Sequence, residues 1–122
     1  MPRPDVTTDE LAGRLGDPKL LVLDVRTAAE FAGQAGYPCD PRQGHIPGAR
    51  HLELSELLDA SSAEVSALVG PAAGIELVVY CHSGQRSAMA AGVLEAAGYD
   101  VRNYVGSWHE WSRRPEPPVE PA

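Results

Sequence analysis

The stretch Ile75-Glu76-Leu77-Val78-Val79-Tyr80 is β-branched and apolar, opened by Gly74, and runs without a break into the polar turn Cys81-His82-Ser83-Gly84-Gln85-Arg86. Behind that turn, residues 87–97 read as an Ala-rich helix closed by Gly98, a residue suited to the left-handed position after a helix C-terminus. A near-continuous apolar strand is one covered on both faces. A strand that feeds a helix through a short turn is half of a crossover unit between parallel strands. This strand–turn–helix unit restricts the architecture more than any other feature of the chain.

The remaining segments agree with it. Leu20-Leu21-Val22-Leu23-Asp24-Val25 reads as a second buried strand. Thr7 with Glu10 and Thr27 with Glu30 have the spacing of capping boxes, the first opening a helix over 11–15 and the second a turn or two of helix. Asp17-Pro18 ends the first helix, because a residue before proline avoids the helical region. Residues 33–47 are rich in Gly and Pro and read as a loop. Short strands are expected at 49–52 and 101–105, helical pieces at 54–58 and 62–69, and one helical turn at 108–111. Strands alternating with helices predict an α/β fold, a mainly parallel sheet with helices on both faces. At 122 residues the expected organisation is one domain over 5–114 and a Pro-rich C-terminal tail over 115–122.

Charge narrows the partners. Ten basic against seventeen acidic residues give −7, with Lys19 the single lysine and no basic cluster. That balance argues against nucleic acid and against an anionic membrane surface. No apolar run approaches spanning length, and the first residues lack the apolar core of a secretory signal. Two cysteines, Cys39 and Cys81, are too few for a disulfide scaffold, so a reducing, cytoplasmic setting is expected.

The chemistry centres on Cys81. In open parallel sheets ligands sit beyond the carboxyl ends of the strands, and Cys81 directly follows one. A turn leading into a helix N-terminus can aim successive N–H groups inward as an anion nest. A thiolate held there has a pKa below the free value of ~8.5. Gly84 gives the tight turn its backbone freedom, and Arg86 adds a permanent cation able to grip sulfonate or phosphate oxygens. The expected site is therefore Cys81 as nucleophile, with His82, Ser83, Gly84, Gln85, Arg86 and Ser87 around the substrate. Asp24 and Arg26, at the end of the neighbouring strand, are expected to support it, Asp24 by holding Arg or loop N–H groups or by capping, Arg26 by pairing with an acid such as Glu30. His45 is expected to order its loop, and His82 to stand exposed at the substrate rim. Cys39 reads as a free loop thiol, with a resolving thiol as the alternative. Neither cysteine has a histidine at zinc-ligand spacing, so no metal is expected.

Four segments together resemble the landmarks of rhodanese domains, in order: Asp24-Val25-Arg26, Gly44-His45-Ile46-Pro47-Gly48-Ala49, the loop from Cys81 to Arg86, and Gly106-Ser107-Trp108-His109-Glu110-Trp111. The resemblance covers about residues 5–114. It implies a five-stranded parallel core sheet, a cysteine that carries sulfur as a persulfide, and no cofactor. The stretch 101–108, continuing to 118–120, resembles the catalytic half of tandem thiosulfate sulfurtransferases, here expected to stand alone. The implied partners are a small sulfur donor and a thiol or cyanide acceptor, with a protein sulfur acceptor as a further possibility. Mercaptopyruvate enzymes of the family usually carry Arg where Glu30 sits, so Glu30 and Arg86 lean toward thiosulfate or a persulfide donor. Two other readings stay open: a sulfur-relay or partner-binding module, and a cysteine-based phosphatase or arsenate reductase. The second is disfavoured, because the six-residue loop is one shorter than the phosphatase type.

Overall fold

The computed structural model describes residues 5–38 and 40–114. Four strands, β1 (Leu20–Asp24), β2 (Arg50–His51), β3 (Glu76–Tyr80) and β4 (Asp100–Asn103), form one sheet in the order β2-β1-β3-β4. Every neighbouring pair is parallel. Asp24 lies opposite Tyr80 in the β1–β3 register, so the carboxyl ends of the two central strands are level. The residues just past those ends, Val25-Arg26 and Cys81-His82, therefore emerge side by side.

The sheet alternates with the strict period of a pleat. Leu23, Val25, Leu77, Val79 and Val101 point to one core, filled from the helix side by Leu57, Val65, Val69, Ala90 and Leu94. These come from α3 (Leu54–Leu58), α4 (Ser62–Val69) and α5 (Gln85–Ala96). Val22, Val78 and Tyr80 point to the opposite core, with Leu11, Trp108 and Trp111. That face is covered by α1 (Thr8–Gly13) and α6 (Ser107–Trp111), with Phe31 of α2 (Ala28–Phe31) packed at its border. Both indole side chains are fully buried.

The α/β class, the parallel sheet and the two helical layers match the sequence reading, but the sheet has four strands among the described residues rather than five. The reason lies at the N-terminus. Val6 N donates to Asn103 O at 3.0 Å beside β4, and Thr7 then turns the chain as N-cap of α1, its hydroxyl accepting from Glu10 N at 3.1 Å. Among the described residues this is a single backbone bond to β4, not a ladder. The helix before the Gly98 closure also begins earlier than expected, at Gln85, so the second half of the cysteine turn is already helical. The expected capping box at Thr27–Glu30 is formed, whereas at Thr7 only the bond from Glu10 N is made, because the Glu10 carboxylate takes Arg102 instead. The Pro-rich tail and Cys39 lie outside the described residues.

Candidate active site

At the carboxyl end of β1 sits a buried ion pair. Asp24 and Arg26 are 0% and 1% exposed at their side chains, with Arg26 Nη2 donating to Asp24 Oδ2 at 2.7 Å. The same nitrogen donates to Gly44 O, also at 2.7 Å, and the guanidinium lies over the Trp108 ring at 4.9 Å. Burial disfavours the cation, but the Asp24 carboxylate outweighs it and holds Arg26 above its ordinary pKa. The pair ties β1, the 33–47 loop and α6 together beneath the cysteine turn. The sequence expectation of an Arg26–Glu30 pair is corrected: Asp24, two residues away at the end of the strand, takes the guanidinium, and Glu30 turns elsewhere.

Cys81 is 1% exposed. Its Sγ accepts hydrogen bonds from Gly84 N at 3.1 Å and Ser87 N at 3.4 Å, with Ser87 Oγ also at 3.4 Å. Burial pushes the thiol up, yet the Ser87 hydroxyl and the amides of Ser87, Gly84 and Ser83 more than offset it, and the net direction is down. The nest depends on Gly84, the N-cap of α5, at φ 94°. A Cβ there would come 2.7 Å from Val105 O. Only glycine closes this turn without strain.

The turn is clamped from behind by residues whose role the sequence reading did not assign. Cys81 N donates to Ser107 Oγ at 3.1 Å, and that hydroxyl donates to Tyr104 O at 2.7 Å. Trp108 N donates to Cys81 O at 2.9 Å and His109 N to His82 O at 2.8 Å. Ser107 is the one non-glycine with positive φ, at 53°, among the described residues. Strain of this kind persists where surrounding structure over-determines it, as four hydrogen bonds to and from this turn do here. The motif 106–111 contained the signal, but only its place in the fold reveals the clamp.

Arg86 projects to the other side, where Glu30 holds it: Nη1–Oε1 is 3.0 Å and Nη2–Oε2 is 3.3 Å. Burial raises Glu30, but Arg86 and the Thr27 amide bring it below the ordinary carboxyl range. The two line an open cleft of about 310 Å³ with Gly36, Tyr37 and Pro38. A slightly larger cleft, about 350 Å³, is lined by Arg14, Lys19, Glu76 and Asp100 around the amino ends of β3 and β4, the wrong end of a parallel sheet for a ligand.

His82, expected at the exposed rim, is instead 11% exposed at its side chain, stacked on Tyr37 at 3.8 Å and 2.9 Å from Asp40 Oδ2. The physical reason is the length of the 33–47 loop, which brings Tyr37 and Asp40 over the imidazole. Ser83 and Gln85 are exposed, and Ser87 is fully buried under the sulfur. His45 is buried, its Nδ1 2.8 Å from Phe31 O and its ring stacked on Phe31 at 3.8 Å.

A parallel α/β sheet with a buried cysteine in an amide nest between strand and helix defines a class of thiolate-loop domains. The sequence profile described as Rhodanese-like domain matches residues 7–114, and the chain belongs to that family. It is 35% identical to a thiosulfate sulfurtransferase of Pseudomonas aeruginosa, over 96% of this chain and 46% of the relative. A probable 3-mercaptopyruvate sulfurtransferase of the same organism is 36% identical, over 89% of this chain and 42% of the relative. The chain thus spans about half the length of these curated relatives. Among solved structures, a probable thiosulfate sulfurtransferase superposes with a TM-score of 0.81 at 42% identity, covering 95% of this chain and 47% of the other. EanB in complex with ergothioneine superposes at 0.85 with 24% identity, covering 97% of this chain and 28% of the other, and supports the fold alone. No helix among the described residues is long and apolar enough to cross a membrane.

Proposed function

We propose that this domain is a sulfurtransferase that passes sulfane sulfur through a persulfide on Cys81. The observation that carries the reading is the convergence of Gly84 N, Ser87 N and Ser87 Oγ on one buried sulfur, at 3.1 to 3.4 Å. The Cys81 thiolate attacks the outer sulfur of thiosulfate. The new Cys–S bond forms as the bond to the sulfonate sulfur breaks, and sulfite leaves with the electron pair. The terminal sulfur of the persulfide keeps one negative charge, which the amides of the turn and the N-terminus of α5 stabilise. A thiolate or cyanide then attacks that outer sulfur, and the Cys81 thiolate is regenerated. This is covalent, two-step transfer, with preorganised donors supplying much of the rate.

The backbone from His82 to Ser87 forms the cradle, and Asp24 and Arg26 hold it from the strand end. Arg86 meets the donor, but its charge is already matched by Glu30, so the cleft presents a neutralised cation. Such a cleft suits a persulfide donor at least as well as doubly charged thiosulfate. This chemistry calls on no metal or organic cofactor, needs a reduced thiol, and so fits a cytoplasmic setting. A relay to a protein acceptor would use the same persulfide, with the acceptor thiol docking at the cleft. The test is Cys81→Ser, which keeps the shape of the site. It should abolish thiocyanate formation from thiosulfate and cyanide, and turnover retained by that variant would falsify the assignment.

A further inference from the structure

Asp40, His82 and His109 belong to three separate segments, the 33–47 loop, the cysteine turn and α6. Each places one ligand atom within 4.8 Å of the others. The Asp40 carboxylate is 1% exposed and the His82 imidazole 11%, while His109 stands at the surface. His82 Nε2 lies 2.9 Å from Asp40 Oδ2, yet among the described residues no hydrogen bond satisfies this buried nitrogen. Close approach without hydrogen-bond alignment is what two ligands of one ion show. Atoms about 2.0–2.1 Å from a zinc ion, at an angle of about 90–110°, stand about 2.9–3.4 Å apart and off each other's lone-pair axis.

The frame around them is built. The His82 ring is stacked on Tyr37 at 3.8 Å and meets the His109 ring edge-on at 5.5 Å. His109 N donates to His82 O at 2.8 Å, which couples the two backbones. Asp40 Oδ1 accepts from Arg113 Nη1 at 2.8 Å, leaving Oδ2 turned to the imidazole. A carboxylate ligand anchored through its second oxygen is the usual outer support of a metal site. The Arg113 charge also weakens any cation there, so the ion is exchangeable rather than permanent.

We propose that Asp40, His82 and His109 bind one divalent transition-metal ion of borderline softness, with Zn²⁺ the best fit and water in the remaining position. Two imidazoles and one carboxylate favour such an ion over Ca²⁺ or Mg²⁺, which prefer all-oxygen shells. Because His82 follows Cys81, the ion pins the cysteine turn to the 33–47 loop and α6. This site goes beyond the sulfurtransferase reading and does not depend on it.

The experiment uses the full chain with Cys39→Ser and Cys81→Ser, which removes both thiols as metal ligands. Zn²⁺ binding is measured by equilibrium dialysis, and Co²⁺ is titrated as a spectroscopic reporter of low-symmetry, four-coordinate geometry. One bound ion is expected, with affinity at least about tenfold weaker in His109→Ala, since even outer-support changes cost that much. His109 is exposed, so this variant should fold, and circular dichroism checks it. Asp40→Asn should weaken binding in the same way. Absence of binding, or binding that His109→Ala leaves within about threefold, overturns the proposal. Sulfur transfer is not read in either case, so failure here leaves the Cys81 assignment to its own test.

Discussion

Replacing Ser87 by Ala removes the one hydroxyl among the groups that stabilise the Cys81 sulfur and leaves the backbone amides. Ser87 is fully buried in the first turn of α5 and its Oγ is 3.4 Å from Sγ. Alanine suits a helix at least as well as serine, so the backbone should hold. A hydrogen bond to a charged group is worth about 1.5–3 kcal/mol, and the long sulfur contact argues for the low end. That corresponds to about a tenfold smaller thiolate-to-thiol ratio below the thiol's midpoint. The more basic thiolate is also the better nucleophile, by about threefold for a Brønsted slope of 0.4–0.5. The net expectation is alkylation by iodoacetamide about threefold slower at low pH and about threefold faster at high pH. The two rate curves should therefore cross. The assay follows modification of Cys81 by peptide mass across the titration, which separates it from Cys39. Curves that run parallel, or a variant slower at both extremes, would show that the hydroxyl packs against the sulfur without stabilising its charge.

Glu30→Gln should leave Arg86 unmatched and raise kcat/KM for thiosulfate several-fold while barely changing that for an uncharged persulfide donor; equal effects on both would remove Arg86 from donor recognition. Because the Glu30 pKa is depressed in the fold, its contribution to stability is present above the unfolded carboxyl pKa and is lost as pH falls through the folded value. Glu30→Gln should accordingly show a shallower loss of urea midpoint on acidification. Asp24→Asn strands a guanidinium that is 1% exposed and should cost about 3–5 kcal/mol in urea unfolding; a loss below about 1 kcal/mol would mean that water or Gly44 O suffices. Gly84→Ala forces a side chain onto φ 94° and against Val105 O, and should cost about 1–3 kcal/mol together with most sulfur transfer; a fully active, stable variant would contradict the nest geometry.

Much of this was legible in the chain because local chemistry and tertiary structure agree. The apolar strand over 75–80, the capping box at Thr27, and Gly98 each act within a few residues, and each appears where its pattern places it. The turn from Cys81 to Ser87 was legible for the same reason: strand, glycine and helix start are contiguous. The features that stayed hidden depend on contacts across the chain. Glu30 meets Arg86 across 56 residues, and Asp24 rather than Glu30 takes Arg26. Ser107 supports Cys81 from 26 residues away, and Asp40 reaches His82 only through the fold of a Gly- and Pro-rich loop. No periodicity encodes such meetings. The fifth strand, absent among the described residues, is similar, since whether the segment at Val6 forms one bond to β4 or a ladder depends on how soon Thr7 starts α1.

The central claim, that Cys81 carries sulfur as a persulfide, is tested most directly by intact mass. The reduced chain is incubated with thiosulfate, desalted and weighed, and the modified residue is located by peptide mapping. The account requires the mass of one added sulfur atom on Cys81, sulfite released in equal amount, and return to the starting mass when cyanide is added. An unchanged mass, or sulfur found on Cys39 with Cys81 unmodified, would contradict it.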